Sequence, residues 1–235
     1  VGSANVPAVY TGTNFASVSV SAGTAPTSTI GTAAFGRLWG VDTDKKTVRY
    51  SKLLDETDWS AGGGGGSIDF SKVWPAGQDE VVAIEEFGGD LVVFGTNNTV
   101  IMTDGAGSSL GIDPTELYVS DTIPGTGAIS QFAIARGFGD LWVLTNNGVV
   151  GLKRELVHKS TQHTNVSRHQ QSQVITWINA ETSVDDITLE YSPRHSFVIV
   201  NFPTSNKQLI YDTRWPLEQG AFRATTWTSD LQTIK

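Results

Sequence analysis

His158, His163 and His169 fall within twelve residues, beside Lys153, Arg154, Lys159 and Arg168, with Glu155 the one acid in that stretch. Imidazoles are good zinc ligands, but spacings of five and six give no i, i+4 pair on a helix face, and there is no cysteine to complete a thiolate site. The stretch reads as a basic segment that docks on an acidic partner surface or touches nucleic acid, or else as a solvated loop. Carboxylates are the next resource. Glu85 and Glu86 are consecutive, so in a strand they point to opposite faces and cannot flank one substrate. Asp42-Thr43-Asp44 lacks the glycine and the distal glutamate of a calcium loop and reads as a hairpin turn. Gly62 to Gly66 has no Lys-Ser/Thr after it and opens no helix, which favours a flexible loop tip over a phosphate cradle. No Gly-x-Ser-x-Gly elbow is present. The expectation is a chain with no catalytic residues, no metal and no cofactor, and therefore not an enzyme.

The elements that carry these groups are announced by an internal repeat. Phe35-Gly36-Arg37-Leu38-Trp39 recurs as Phe87-Gly88-Gly89-Asp90-Leu91-Val92-Val93-Phe94 and as Phe138-Gly139-Asp140-Leu141-Trp142-Val143-Leu144, at spacings of 52 and 51 residues. Each copy runs through a turn (Asp42 to Lys46, Gly95 to Asn98, Thr145 to Gly148) into a second short strand. The Asn and Gly residues in these turns tolerate the positive φ of tight hairpins. A degenerate fourth copy starts at Phe197 and turns through Pro203 to Lys207. Hairpins repeating every 40–50 residues or so are characteristic of β-propellers. The expected fold is thus all-β, with β-propeller-like blades of short antiparallel strands and a period near 51 residues. Residues 1–34 are expected to form an uncharged strand or linker segment, and residues 35–235 one propeller domain of about four repeats. Leu38, Trp39, Leu91, Val93, Phe94, Leu141, Trp142 and Leu144 are the predicted core. Helix is expected to be nearly absent, with short candidates at Thr115 to Tyr118 and Arg168 to Gln173.

Composition agrees with a β-rich chain. Val, Ile and Thr number 64 of 235 residues, against 14 Leu and 17 Ala. No apolar run is long enough to span a membrane as a helix. Charge is uneven: residues 1–36 carry none, residues 37–150 hold 16 acids and 7 bases, and residues 151–235 hold 8 acids and 9 bases. The acidic balance argues against a chain that grips nucleic acid by neutralising phosphates. With no initiating Met and no signal-peptide pattern, a processed product or a fragment is expected.

Several segments resemble one family. They are Gln78 through Phe94, Gly127-Ala128-Ile129-Ser130 through Arg136 and Asp140 to Val149, and Leu209-Ile210-Tyr211-Asp212-Thr213-Arg214 followed by Ala224-Thr225-Thr226-Trp227. Arg37-Leu38-Trp39, Tyr50-Ser51 and Asp58-Trp59 add to them. Over roughly residues 35–230 the chain resembles the tail tubular (nozzle) proteins of short-tailed bacteriophages. The resemblance implies a structural virion protein, assembled in the host cytoplasm, that forms a homo-hexameric ring-shaped conduit for genome ejection. Its partners would be the portal and adaptor and the tail fibre or needle proteins, with double-stranded DNA passing through without specific binding. In such a conduit Asp55, Glu56, Asp58, Asp79, Glu80, Glu85 and Glu86 are the candidate lumen-facing acids. Lys153, Arg154, His158, Lys159, His163, Arg168 and His169 would then lie at a subunit or adaptor contact. The rival expectation is an extracellular propeller that binds or hydrolyses glycans, to which Asn97-Asn98-Thr99 and Asn165-Val166-Ser167 add glycosylation acceptor patterns.

Overall fold

The computed structural model describes residues 7–10, 12–74, 79–104, 114–152, 164–217 and 221–228. The chain divides into two compact units, Val1–Gly125 and Thr126–Lys235.

The first unit begins with a two-stranded hairpin, β1 (Ala8–Tyr10) and β2 (Phe15–Ser17), and a short parallel pairing of β3 (Ala22–Gly23) with β7 (Asp58–Trp59). Two four-stranded antiparallel sheets follow. One runs β4 (Gly31–Ala34), β5 (Arg37–Val41), β6 (Thr47–Tyr50), β8 (Gly66–Asp69). The other runs β9 (Val81–Phe87), β10 (Asp90–Gly95), β11 (Asn98–Asp104), β12 (Leu117–Pro124). Trp39, Val41, Val48, Tyr50, Phe70, Trp74, Leu91 and Val93 belong to the unit's buried core.

The second unit has the sheet β13 (Ile134–Gly137), β14 (Asp140–Thr145), β15 (Gly148–Gly151), β16 (Thr164–Asn165). It also has the sheet β17 (Thr188–Ser192), β18 (Phe197–Phe202), β19 (Lys207–Pro216), β20 (Phe222–Thr228). Between them lies the helix α1 (Gln171–Ala180), whose Val174, Trp177 and Ile178 enter a core with Trp142, Leu144, Leu189, Val200, Phe202 and Tyr211. That i, i+3, i+4 spacing is the apolar stripe of a helix.

The repeat has a local physical origin. In three hairpins the strands are joined by two residues in the left-handed region: Phe35-Gly36 (φ 54° and 67°), Gly88-Gly89 (67° and 93°) and Phe138-Gly139 (54° and 68°). Positive φ at both central positions twists a tight hairpin in the same sense as its strands. Strand pairing then starts at Ala34↔Arg37, Phe87↔Asp90 and Gly137↔Asp140. In the first and third hairpins a tryptophan three residues beyond the turn reaches back across it. Trp39 Nε1 donates to the Ala34 carbonyl at 3.1 Å and Trp142 Nε1 to the Gly137 carbonyl at 3.0 Å. The recurring Phe-Gly-x-Leu-Trp signature thus encodes a turn and the indole that closes it.

The expected propeller is not the fold of this chain. Among the described residues the fold is mixed α/β: several separate antiparallel sheets, none closed into a barrel or curled into a propeller, and one α-helix. A repeat of hairpins reports local turns, whereas closure depends on how sheets associate, and here the packing resolves into two units with their own cores. The ring-shaped tail nozzle and the glycan-handling propeller both presuppose that closure, and the open sheets match neither. Helix was expected to be nearly absent, yet α1 spans ten residues; of the two short candidates, Thr115 to Tyr118 runs into β12 and only the end of Arg168 to Gln173 is helical. Of the predicted core residues Leu38 is only half-buried, while the other seven are buried. Leu38 alternates with Trp39 and Val41 and so points away from the core they fill.

Trp142 is 2 % exposed, and its truncation to alanine should lower stability by about 3–5 kcal/mol in urea unfolding. Phe138 adopts its left-handed φ while 60 % exposed, so its backbone strain is offset by little packing. Phe138→Asn should raise stability by about 1 kcal/mol, because asparagine visits that region more readily than a bulky side chain.

Candidate interaction surface

Several acids of the first unit are held in local structure. The Asp55 carboxylate accepts from the backbone N–H and hydroxyl of Thr57 at 3.1 and 2.7 Å and from Lys52 Nζ at 3.2 Å. Asp58 accepts from the N–H and hydroxyl of Ser60 at 2.9 and 2.7 Å. Glu56 lies between them, and its carbonyl accepts from Trp59 Nε1. Asp79 is buried inside the β10–β11 turn, accepting from the N–H groups of Thr96 and Asn98, each at 2.9 Å, and from Asn98 Nδ2 at 2.8 Å. Glu80 pairs with Lys45 at 3.6 Å. Glu85 and Glu86 sit side by side in β9, opposite Val92 and Leu91 of β10.

The glycine run is also built into the fold. Ser60 caps the 3-10 turn Ala61–Gly63, and the Gly64 carbonyl accepts from Arg37 Nη1 at 2.6 Å. A Cβ on Gly63 would collide with the Asp58 carboxylate. A Cβ on Gly65 would meet the Trp59 backbone at 2.8 Å, a close approach that a side-chain shift cannot relieve.

Of the basic segment, Lys153, Arg154, His158, Lys159 and His163 lie outside the described residues. Arg168 and His169 are exposed in the turn that leads to α1. Among the described residues no group of three His, Asp or Glu side chains is placed to hold a metal ion. None of the helices is long and apolar enough to cross a membrane, again among the described residues.

The feature that sequence reasoning missed is the outer margin of the last sheet. Along β18, β19 and β20, side chains alternate between two faces. Val198, Val200, Phe202, Leu209, Tyr211 and Phe222 fill the core. The opposite face carries Phe197 across from Asp212, Ile199 across from Ile210, Asp212 across from Arg223, and Gln208 across from Trp227. At one end of this face Arg214 and Asp212 form a two-point ion pair at 2.6 and 2.8 Å. Arg214 also lies 5.6 Å from the centre of the Phe197 ring, and His195 stacks on that ring at 5.7 Å. The guanidinium hydrogen bonds hold Asp212 below the usual carboxylate range and raise Arg214 in turn. The hairpin loop is pinned by Thr213, whose N–H and hydroxyl donate to the Ser196 carbonyl at 3.0 and 2.8 Å. Ser192 Oγ and His195 Nδ1 are 3.3 Å apart in that loop.

β20 is the edge of this sheet, and among the described residues no strand pairs with its outer side. Arg223, Thr225, Thr226, Trp227 and Thr228 are exposed, and Trp227 keeps 48 % of its surface in solvent. Trp215, near the end of β19, keeps 68 %. Edge strands are normally blunted by charge, proline or short length. β20 has seven residues and, from Ala224 to Thr228, no charge and no proline. The run Ala224-Thr225-Thr226-Trp227-Thr228 was the available signal: a β-prone, uncharged stretch ending on a large aromatic.

The Ser60 hydroxyl and N–H hold the Asp58 carboxyl below its ordinary range. A depressed folded value means that the stabilisation is present above about pH 4 and is lost as pH falls through the folded value. Protection of the Ser60 and Gly63 amides against exchange, taken relative to the intrinsic rate at each pH, should fall at acid pH in the native protein, and Asp58→Asn should remove that fall. No protein-family model matches the chain and no curated protein matches it, so the resemblance to tail nozzle proteins rests on the quoted motifs alone.

Proposed function

We propose that the chain is a protein-binding module that works by contact rather than turnover, with the β19–β20 margin as its docking edge. One observation carries this reading: the outer strand β20, exposed and free of charge from Ala224 to Thr228, with Trp227 in it and Trp215 on the neighbouring strand both in solvent. An unpaired strand offers a row of N–H and C=O groups to an incoming extended segment. Backbone hydrogen bonds then supply affinity, and alternate side chains supply selectivity. Tryptophan and arginine are the residue types that most often dominate binding energy, and Arg214, Trp215, Arg223 and Trp227 lie along this margin. The conformational cost of binding is modest, because β20 is already extended and paired along its inner side to β19.

The test is selection of random short peptides on the immobilised full chain. Extended, β-branched peptides with few charges should be enriched, and their binding should weaken by about tenfold or more when β20 carries Thr225→Pro. Enrichment of no such peptides, or binding indifferent to Thr225→Pro in a folded variant, would overturn the reading.

A further inference from the structure

We infer that the segment accepted by β20 is the β1–β2 hairpin of a second copy of this chain; the inference rests on the docking-edge reading above. The hairpin is a two-stranded sheet of its own, with Ala8↔Ser17, Val9↔Ala16 and Tyr10↔Phe15 paired. Two strands alone are marginally stable in water at best, and need a third strand or a packing surface. Its main apolar feature faces solvent: Tyr10 is 59 % and Phe15 79 % exposed, their rings 5.1 Å apart. The base of the hairpin is tied down. Val18 N–H donates to the Pro7 carbonyl and Ser21 N–H to the Thr57 carbonyl, each at 2.8 Å. Among the described residues no further strand pairs with either side of this hairpin, and β2 is exposed along its length.

Among the described residues each copy therefore carries a two-stranded hairpin in solvent and the exposed edge β20, and the two are chemically matched. Residues 1–36 have no charged side chain, and neither has the stretch from Ala224 to Thr228, so joining them desolvates no ion. The Tyr10–Phe15 pair offers aromatic surface of the kind that covers an exposed tryptophan such as Trp227. Charge sets the orientation. The unit that bears the hairpin holds 15 carboxylates and 6 cations in its sequence, whereas the unit that bears β20 holds 9 and 10. Beside the edge, Arg214 and Arg223 outnumber the Asp212 carboxylate. The acidic unit of one copy is attracted to this arginine-flanked margin, while two acidic units repel each other. The contact is therefore head to tail, between unlike surfaces.

Sedimentation and light scattering of the full chain over a range of concentrations test this directly. The average mass should rise with concentration, and less so with added salt. Phe15→Asp should disable the hairpin and Thr225→Pro the edge, each weakening association by about tenfold or more. Mixing those two variants restores one good contact, since the first still accepts and the second still donates. The mixture should yield a particle of twice the chain mass and nothing larger. Tyr10→Asp and Thr225→Lys repeat the experiment where either first variant does not fold. A wild-type chain that stays monomeric, association that survives both variants, or a mixture that stays monomeric would overturn the inference. If selected peptides bind β20 while the chain stays monomeric, the docking edge stands and the second-copy assignment falls. If neither is seen, both fall.

Discussion

Two left-handed residues at a hairpin tip fix more of this molecule than any other local choice. A two-residue turn leaves no freedom in strand register, so Phe35-Gly36, Gly88-Gly89 and Phe138-Gly139 decide which residues face each other for the length of the sheets they join. A shift of one residue would send Trp39 or Trp142 to the wrong face and break the indole bond back to the carbonyl before the turn. The paired strands then bury Leu91, Val92, Val93 and Phe94 on both faces of β10, and Leu141 to Leu144 in β14. Packing in each unit follows from that register.

The acid surplus of the first unit has a similarly local explanation. Asp44, Asp55, Asp58, Asp69 and Asp79 each accept hydrogen bonds from backbone N–H groups at a bend or turn. Unpaired N–H groups are costly, and a short carboxylate is an effective acceptor where the ladder stops. Five of the fifteen acids in the sequence of this unit thus serve tight connections. The glycine run follows the same logic, since a side chain at Gly63 would fill the place of the Asp58 carboxylate.

What the sequence makes legible is what is decided within a few residues. The turns from Asp42 to Lys46 and from Thr145 to Gly148, and the strands beside them, carry their signals in Asp in the first, Asn and Gly in the second, and the β-prone residues on either side. The helix α1 is hidden for the opposite reason. Val174, Ile175, Thr176 and Ile178 are β-branched, no acid lies in the first turn and no base in the last, and Gln170 offers no side-chain cap. Tertiary packing of Val174, Trp177 and Ile178 overrides those propensities. The openness of the sheets is a property of assembly and has no local signature. The β20 margin was half visible: Ala224 to Thr228 reads as a strand, but its position at an edge depends on whether another strand pairs beyond β20.

The seven tryptophans divide sharply by environment, with an optical consequence. Trp39, Trp59, Trp74, Trp142 and Trp177 are each at most 7 % exposed, whereas Trp215 and Trp227 are 68 % and 48 % exposed. Indoles in a dry interior emit at shorter wavelength and are shielded from dissolved quenchers, while wet ones emit further to the red and are quenched by collision. Both solvent-accessible emitters stand on the same margin of one sheet. The chain thus contains its own reporter: the quenchable, red-edge part of its fluorescence belongs to the β19–β20 border, and the rest reads out the two cores.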